Sequence, residues 1–310
     1  MALPSRTLKL VVALAALLVA PANAQAGWLQ PTGSCYAKLS NRLLVGGRAY
    51  TDKGLRVFAE VPSYVDTLFS LYGECGINSW ITATTSLSPV GYAKAGGNGT
   101  SYVGPLVAGI RFGLVRDGNW RLSVSARYGY APPAGDEILS DVVFETDSGE
   151  RGRAVYRPTV ENTFGELTID GGLGFTFFGA PAFASGTLGA RFNRATEIDH
   201  AIVGMLMAGV TLWSQLVIDL HVSLYEPFGQ DVKITNTSGA GQTRYLGFGL
   251  GVSWWFIKKR LAVFFAFDGV AYATSNAATP ALMFGFETKF SLWTPNKPQP
   301  PQPQPQDKQP

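Results

Sequence analysis

Apolar side chains recur at every second position through most of the chain between residues 33 and 293, and the face they define reads as free of charge. A period of two belongs to strands, in which successive side chains point to opposite faces. The stretch GFGLGVSWWFIKKRLAVFFAF at 247–267 is the sharpest case. It is as long as a membrane-spanning helix, which needs about 20 apolar residues. Lys258, Lys259 and Arg260, however, stand at its centre, where charge costs most. Taken as strands, Leu246, Phe248, Leu250, Val252, Trp254 and Phe256 share one face, and Gly247, Gly249, Gly251 and Ser253 the other. Beyond the basic turn Leu261, Val263, Phe265 and Phe267 resume the pattern.

Twelve segments carry this two-faced pattern: 33–46, 64–77, 79–89, 104–116, 119–130, 164–178, 182–192, 201–213, 215–226, 243–257, 260–273 and 280–293. Short connections (77–79, 116–119, 179–181, 214–215, 257–260) alternate with longer ones (47–63, 90–103, 131–163, 193–200, 227–242, 274–279). An even number of strands with alternating short turns and long loops is the pattern of outer-membrane barrels. An uncharged face fits lipid contact, because a cation at the bilayer midplane costs about 2–4 kcal/mol. The seven tryptophans lie near short turns or chain ends, and Tyr64, Tyr128, Tyr130, Tyr225, Tyr245 and Tyr272 at the opposite strand ends. That distribution predicts two interfacial girdles. The expected fold is therefore all-β: a transmembrane up-and-down antiparallel β-barrel of about 12 strands.

Arg6 and Lys9 precede the apolar run Leu10–Ala20, which ends in Ala22-Asn23-Ala24. This predicts a secretory signal over 1–24, the barrel over 25–293 and a location in the bacterial outer membrane. Loss of Arg6 and Lys9 takes the formal charge from +3 to +1, which leaves no basic stripe for nucleic acid. Residues 294–310 form a Pro/Gln-rich tail, expected to be extended in the periplasm. It reads as a spacer or as a contact with the cell wall or a periplasmic partner.

The stretch Trp28-Leu-Gln-Pro-Thr-Gly-Ser-Cys-Tyr-Ala-Lys-Leu-Ser40, followed by Leu71-Tyr-Gly-Glu-Cys-Gly-Ile77, resembles outer-membrane transporters of the phenol meta-pathway type and the related XagA-like envelope proteins. The resemblance covers about the first 90 residues. It implies an outer-membrane barrel and a channel for small, often apolar or aromatic molecules. The sequence departs from that pattern at Cys35 and Cys75.

Those two cysteines fall at the same end of adjacent strands and are read as facing outward. Export makes a disulfide plausible, and two separate apolar thiols are the alternative. Neither has metal-ligand neighbours, so no metal or cofactor is expected. On the inward face the candidate lumen-lining residues are Lys38, Arg42, Glu74, Arg111, Arg127, Glu166, Asp170, Arg191, Asp219, His221, Asp268, Glu287 and Lys289, with Arg121 on the same row. Their signs nearly balance. They describe either a narrow pore for small neutral or apolar solutes or an ion-pair network that plugs the barrel. Gly172, Gly174, Gly247, Gly249 and Gly251 on this face leave space or permit curvature. The charged loop 131–163 reads as a gate folded into the mouth or as an outer surface. Asp219, His221 and Ser223 alternate along one strand, about 7 Å apart, too far for a hydrolytic triad.

The reading is thus a passive channel for small, weakly polar or aromatic molecules, embedded in outer-membrane lipid. A closed barrel serving as an envelope scaffold is the alternative, and a lipid-modifying enzyme is disfavoured.

Overall fold

Alternation this regular leaves each strand with one apolar and one polar face, and closure into a cylinder pairs every edge while separating the two. The computed structural model describes residues 29–50, 58–116, 118–133, 135–145, 151–196, 198–229, 244–257, 260–274, 276–277 and 279–293. The expected signal at 1–24, Trp28, the turn residues Lys258 and Lys259, and the tail at 294–310 lie outside them.

In chain order, β1 (Ser34–Tyr50), β2 (Phe58–Gly76) and β3 (Ile81–Ala95) form a meander, and the short β4 (Asn98–Tyr102) folds back on the end of β3. Next come β5 (Leu106–Val115), β6 (Trp120–Ala131) and the outlying hairpin β7 (Ile138–Glu145) and β8 (Arg151–Tyr156). The wall continues with β9 (Asn162–Phe177), β10 (Ala180–Asn193), β11 (Ala201–Leu212) and β12 (Leu216–Pro227). It ends with β13 (Tyr245–Ile257), β14 (Leu261–Ala273), the two-residue β15 (Asn276–Ala277) and β16 (Ala281–Ser291). Neighbouring strands are antiparallel, and β1 pairs with β16 on one side and β2 on the other. Leaving aside β4, β7, β8 and β15, twelve strands close the barrel, as the alternation predicts.

The short connections gather at one end. At the tightest, Phe178 (φ 48°) and Gly179 (φ 80°) are both left-handed, the primed turn whose twist matches the flanking strands. The exterior is apolar: Leu206 is 65% exposed, Leu220 61% and Phe286 52%, all within strands. Exposed apolar surface on this scale is abnormal for a protein in water. The structure inverts the usual order, with most carboxylates inside and most phenylalanines outside.

Register corrects several sequence expectations. Trp254 and Trp255 are adjacent, so only one can face out; Trp255 is buried inside, under the Lys289 ammonium at 4.9 Å. Tyr64 and Tyr225 are buried on the inner face, and Tyr245 stacks on Tyr225 there. Among the described residues, the exposed tyrosines at the long-loop end are Tyr128, Tyr130 and Tyr92. The outer face is not wholly uncharged either. Glu226 lies opposite Ile202 on the outward row at the end of β12, where Arg244 and the Tyr272 hydroxyl hold it. A strand end at the rim tolerates what the middle does not. The 131–163 connection is not structureless, since it contains β7 and β8.

Cys35 and Cys75 are directly opposed in the β1–β2 register, with Cα atoms 4.2 Å apart, and form a disulfide. That spacing is close to that of a non-hydrogen-bonded antiparallel pair, about 4.5 Å. Cys35 lies on the outward row but is itself buried.

Candidate functional site

The inner faces of the strands differ sharply around the cylinder. On β2, β3, β5, β6 and β9 they are packed, and one polar network fills the space between them. Arg111 lies between two carboxylates, with Nη1 2.9 Å from Glu74 Oε1 and Nε 3.7 Å from Asp170 Oδ2. Asp170, fully buried, also accepts hydrogen bonds from the hydroxyls of Ser125, Thr168 and Thr187. Glu74 accepts from the Tyr72 hydroxyl and from Gln30 Nε2, the latter at 2.9 Å. Buried charge is stable only when paired and hydrogen-bonded in this way.

Both ends of this packed half are covered. At the short-turn end Gln30 also donates its backbone N–H to Thr82 Oγ1, and Leu29 lies where a Cβ on Gly113 would be, 2.4 Å from it. At the long-loop end Asp66 accepts from Tyr102 (2.8 Å) and Tyr64 (3.3 Å) and pairs with Arg42. Burial together with the Asp66 carboxylate pushes the Tyr102 phenol up, in keeping with its role as a donor to that carboxylate. Around it Leu44, Leu68 and Ile138 form an apolar cluster. Ile138 comes from the 131–163 connection, so that connection does reach into the mouth at this point.

Along β10, β11 and β12 the inner face is less filled, while the inner rows of β13 and β14 are largely buried again. The inner residues Ser185, Thr187, Met207, Asp219, His221 and Ser223 of these strands are only partly buried, and Met205 is 38% exposed. His221 sits between two carboxylates, with Nε2 2.8 Å from Asp268 Oδ1 and Nδ1 3.5 Å from Asp219 Oδ1. β13 separates β12 from β14, and Gly249 lets the two side chains meet across it. A Cβ on Gly249 would stand 2.3 Å from Asp268 Oδ1 and 2.4 Å from His221 Nε2. Gly251 makes the same room for Asp219. At the long-loop end of this strip the Arg191 guanidinium lies 4.4 Å over the Phe164 ring and 5.5 Å from that of Tyr225. Arg191 and Arg127 both pair with Glu166, at 2.8 and 3.1 Å.

The remaining predicted residues are more peripheral. Lys38 pairs with Glu287 at 3.4 Å and covers the Phe264 ring. Arg121 serves the fold instead: its guanidinium donates to the carbonyls of Arg116, Gly118 and Trp120 and clamps the turn. Asp219, His221 and Ser223 form no triad, because His221 turns to Asp268 on another strand. Sequence reasoning missed Asp66, although it lies on the same inward row as Glu74 and Tyr72. It also missed Met205 and Met207, whose odd numbering placed them with the polar face of β11. Tyr102, Ile138 and Gln30 left no such signal, since each reaches its place through a connection and not along a strand. Apart from the lumen, a cavity of about 450 Å³ lies among the long connections, lined by Pro133, Glu137, Arg157, Thr159 and Thr196.

No known family matches the chain, and no curated protein does. Solved structures do. The outer membrane channel from Pseudomonas putida F1 superposes with a TM-score of 0.55 at 11% identity, over 88% of this chain and 100% of that one. The translocator domain of the autotransporter NalP from Neisseria meningitidis gives 0.52 at 14% identity, over 92% and 98%. The fold is that of the outer-membrane β-barrels. At such identities the likeness extends to the architecture, and the interior just described belongs to this chain.

Proposed function

We propose that the protein is a passive outer-membrane channel for small, weakly polar or aromatic molecules, and that the solute passes along the β10–β12 wall. The observation that carries this reading is the partly exposed inner row of β10, β11 and β12 beside the packed network of β2, β3, β5, β6 and β9. A barrel built only as a scaffold has no need to fill one side with a paired network and leave a strip of the wall less filled. The open strip offers Met205, Met207 and Phe183 to an apolar body and Thr187, Ser223 and His221 to polar groups. Few polar groups on a mainly apolar wall suit weakly polar ligands. The fold shared with the Pseudomonas putida channel and the resemblance of 28–40 and 71–77 to transporters of the phenol meta-pathway type support the same reading. On it, residues 1–24 are the export leader, the barrel occupies 25–293 and the short turns and the 294–310 tail face the periplasm.

Two measurements test it. Purified barrel in planar bilayers is expected to give discrete conductance steps, and Met207→Trp is expected to reduce them at least several-fold by narrowing the open strip. Absence of both conductance and solute flux in the unmodified protein refutes the channel. For the membrane placement, Leu220→Arg puts a cation on the outward row near mid-strand and is expected to cost about 2–4 kcal/mol of folding free energy in lipid vesicles. Phe178→Arg, at the short turn, is expected to cost only about 0–1 kcal/mol. Equal effects at the two depths would show that the apolar exterior does not meet hydrocarbon.

A further inference from the structure

The outer wall is not uniform. Below the rim tyrosines, the described outward rows of β5, β6 and β9 to β14 carry no side-chain amide or hydroxyl. On the successive neighbours β16, β1, β2 and β3, by contrast, Thr288, Asn41, Thr67 and Thr85 all face outward. Asn41 pairs with Phe284 on β16 and Phe69 on β2. Ala37 pairs with Thr288 and Gly73, and Gly73 with Thr85, so four small residues form one row across the four strands. Thr85 satisfies its hydroxyl locally, on the Val107 carbonyl at 3.1 Å. Asn41 does not.

Along the outward row of β1, Leu39 precedes Asn41 and Leu43 follows it. Leu43 and Val45 still lie between the amide and the long loops, so it sits inside the apolar band. Its Oδ1 accepts from Thr67 Oγ1 at 3.0 Å, and its two Nδ2 hydrogens meet no acceptor among the described residues. Water would supply one, but hydrocarbon has none, and an unsatisfied polar group is costly there. The esters and hydroxyls of lipids lie near the headgroups, above the level of Asn41. The missing acceptor must therefore come from protein. Among membrane-spanning helices, polar side chains beside small residues join one segment to another in this way.

We propose that the outer face of β16, β1, β2 and β3 is where two copies of this barrel meet in the membrane. Copies inserted in the same direction are related by a two-fold axis along the membrane normal, which leaves depth unchanged, so Asn41 of one copy faces Asn41 of the other. An amide is its own complement, with two donors and a carbonyl of two lone pairs. Each Nδ2 donates to the Oδ1 of the other copy, on the lone pair that Thr67 does not use. The low row of Ala37 and Gly73 lets the two walls approach, and Phe284 and Phe69 pack on either side of the amides. The inference rests on the outer wall meeting hydrocarbon and not on what passes through the lumen.

The test weighs the full barrel by native mass spectrometry after extraction from lipid vesicles into mild detergent. The unmodified protein is expected to be mainly dimer. Asn41→Leu should lower the ratio of dimer to monomer at least ten-fold, whereas Ala184→Leu, on the outward row of β10, should leave it within two-fold. A second arm stays in the vesicles: Asn41→Cys should give a covalent dimer on mild oxidation, and Leu220→Cys, on β12, should give none. This arm decides the matter if detergent separates the copies or if Asn41→Leu fails to fold. Monomer throughout with no cross-link at position 41 overturns the proposal, as does a dimer that survives Asn41→Leu. A monomer carrying a bound lipid that Asn41→Leu releases also overturns it and gives the face to a lipid. A barrel that stays in solution without detergent removes the lipid-facing wall itself, a different failure.

Discussion

Arg111→Met is expected to destabilise the barrel by about 3–5 kcal/mol, the usual effect of removing one member of a buried ion pair. Arg111 is the cation shared by Glu74 and Asp170. Without it two buried carboxylates keep their hydroxyl and amide donors but lose their countercharge. The same change made together with Glu74→Gln and Asp170→Asn should recover most of the loss. A fully neutral buried cluster avoids the desolvation that the ionised one bears, and replacing whole buried ion networks is often near neutral. Urea unfolding in lipid vesicles, followed by tryptophan fluorescence, measures the unmodified barrel and both variants. A single Arg111→Met effect below about 1 kcal/mol would mean that water reaches this half and screens the charges, as at an exposed pair. The packed network and the less filled strip would then not differ as described.

Breaking the disulfide comes next in size. The bond spans 40 residues of sequence, for which chain-entropy reasoning gives about 4 kcal/mol of stabilisation through restriction of the unfolded chain. Cys35→Ser with Cys75→Ser, or reduction before unfolding, is expected to lower the urea midpoint by a corresponding amount. The folded barrel should keep its conductance, because the bond lies on the outward row away from the β10–β12 strip. An unchanged midpoint would show that closure of β1 on β2 already restricts the unfolded ensemble. Loss of conductance without loss of folded protein would place the bond in the pathway.

Much of this architecture was legible because a strand shows its environment at every second residue. Leu246 to Phe256 and the interleaved glycines declared their faces without any tertiary knowledge, and the unequal connections declared which ends lie together. The tyrosines were harder. Tyr64 and Tyr225 occur at strand ends just as Tyr128 does, yet they point inward, and only the register against β1 and β13 distinguishes them. The candidate pathway was legible in its charges and not in its shape. Asp219, His221 and Asp268 were all recognisable as inward, but that His221 reaches Asp268 across Gly249 depends on which strands are neighbours and on how they are staggered.

By itself the sequence determined the all-β fold, the twelve-strand count, the two-faced wall and the shared end of the two cysteines, since each follows from local periodicity and turn length. Only the tertiary structure decided which part of the interior is filled, that Gln30, Tyr102 and Ile138 cover it, and that Trp255, Tyr64 and Tyr225 turn inward. The reason is geometric: periodicity says which side of the wall a residue occupies, whereas the use of the enclosed space is settled by side chains meeting across the cylinder from strands far apart in the chain.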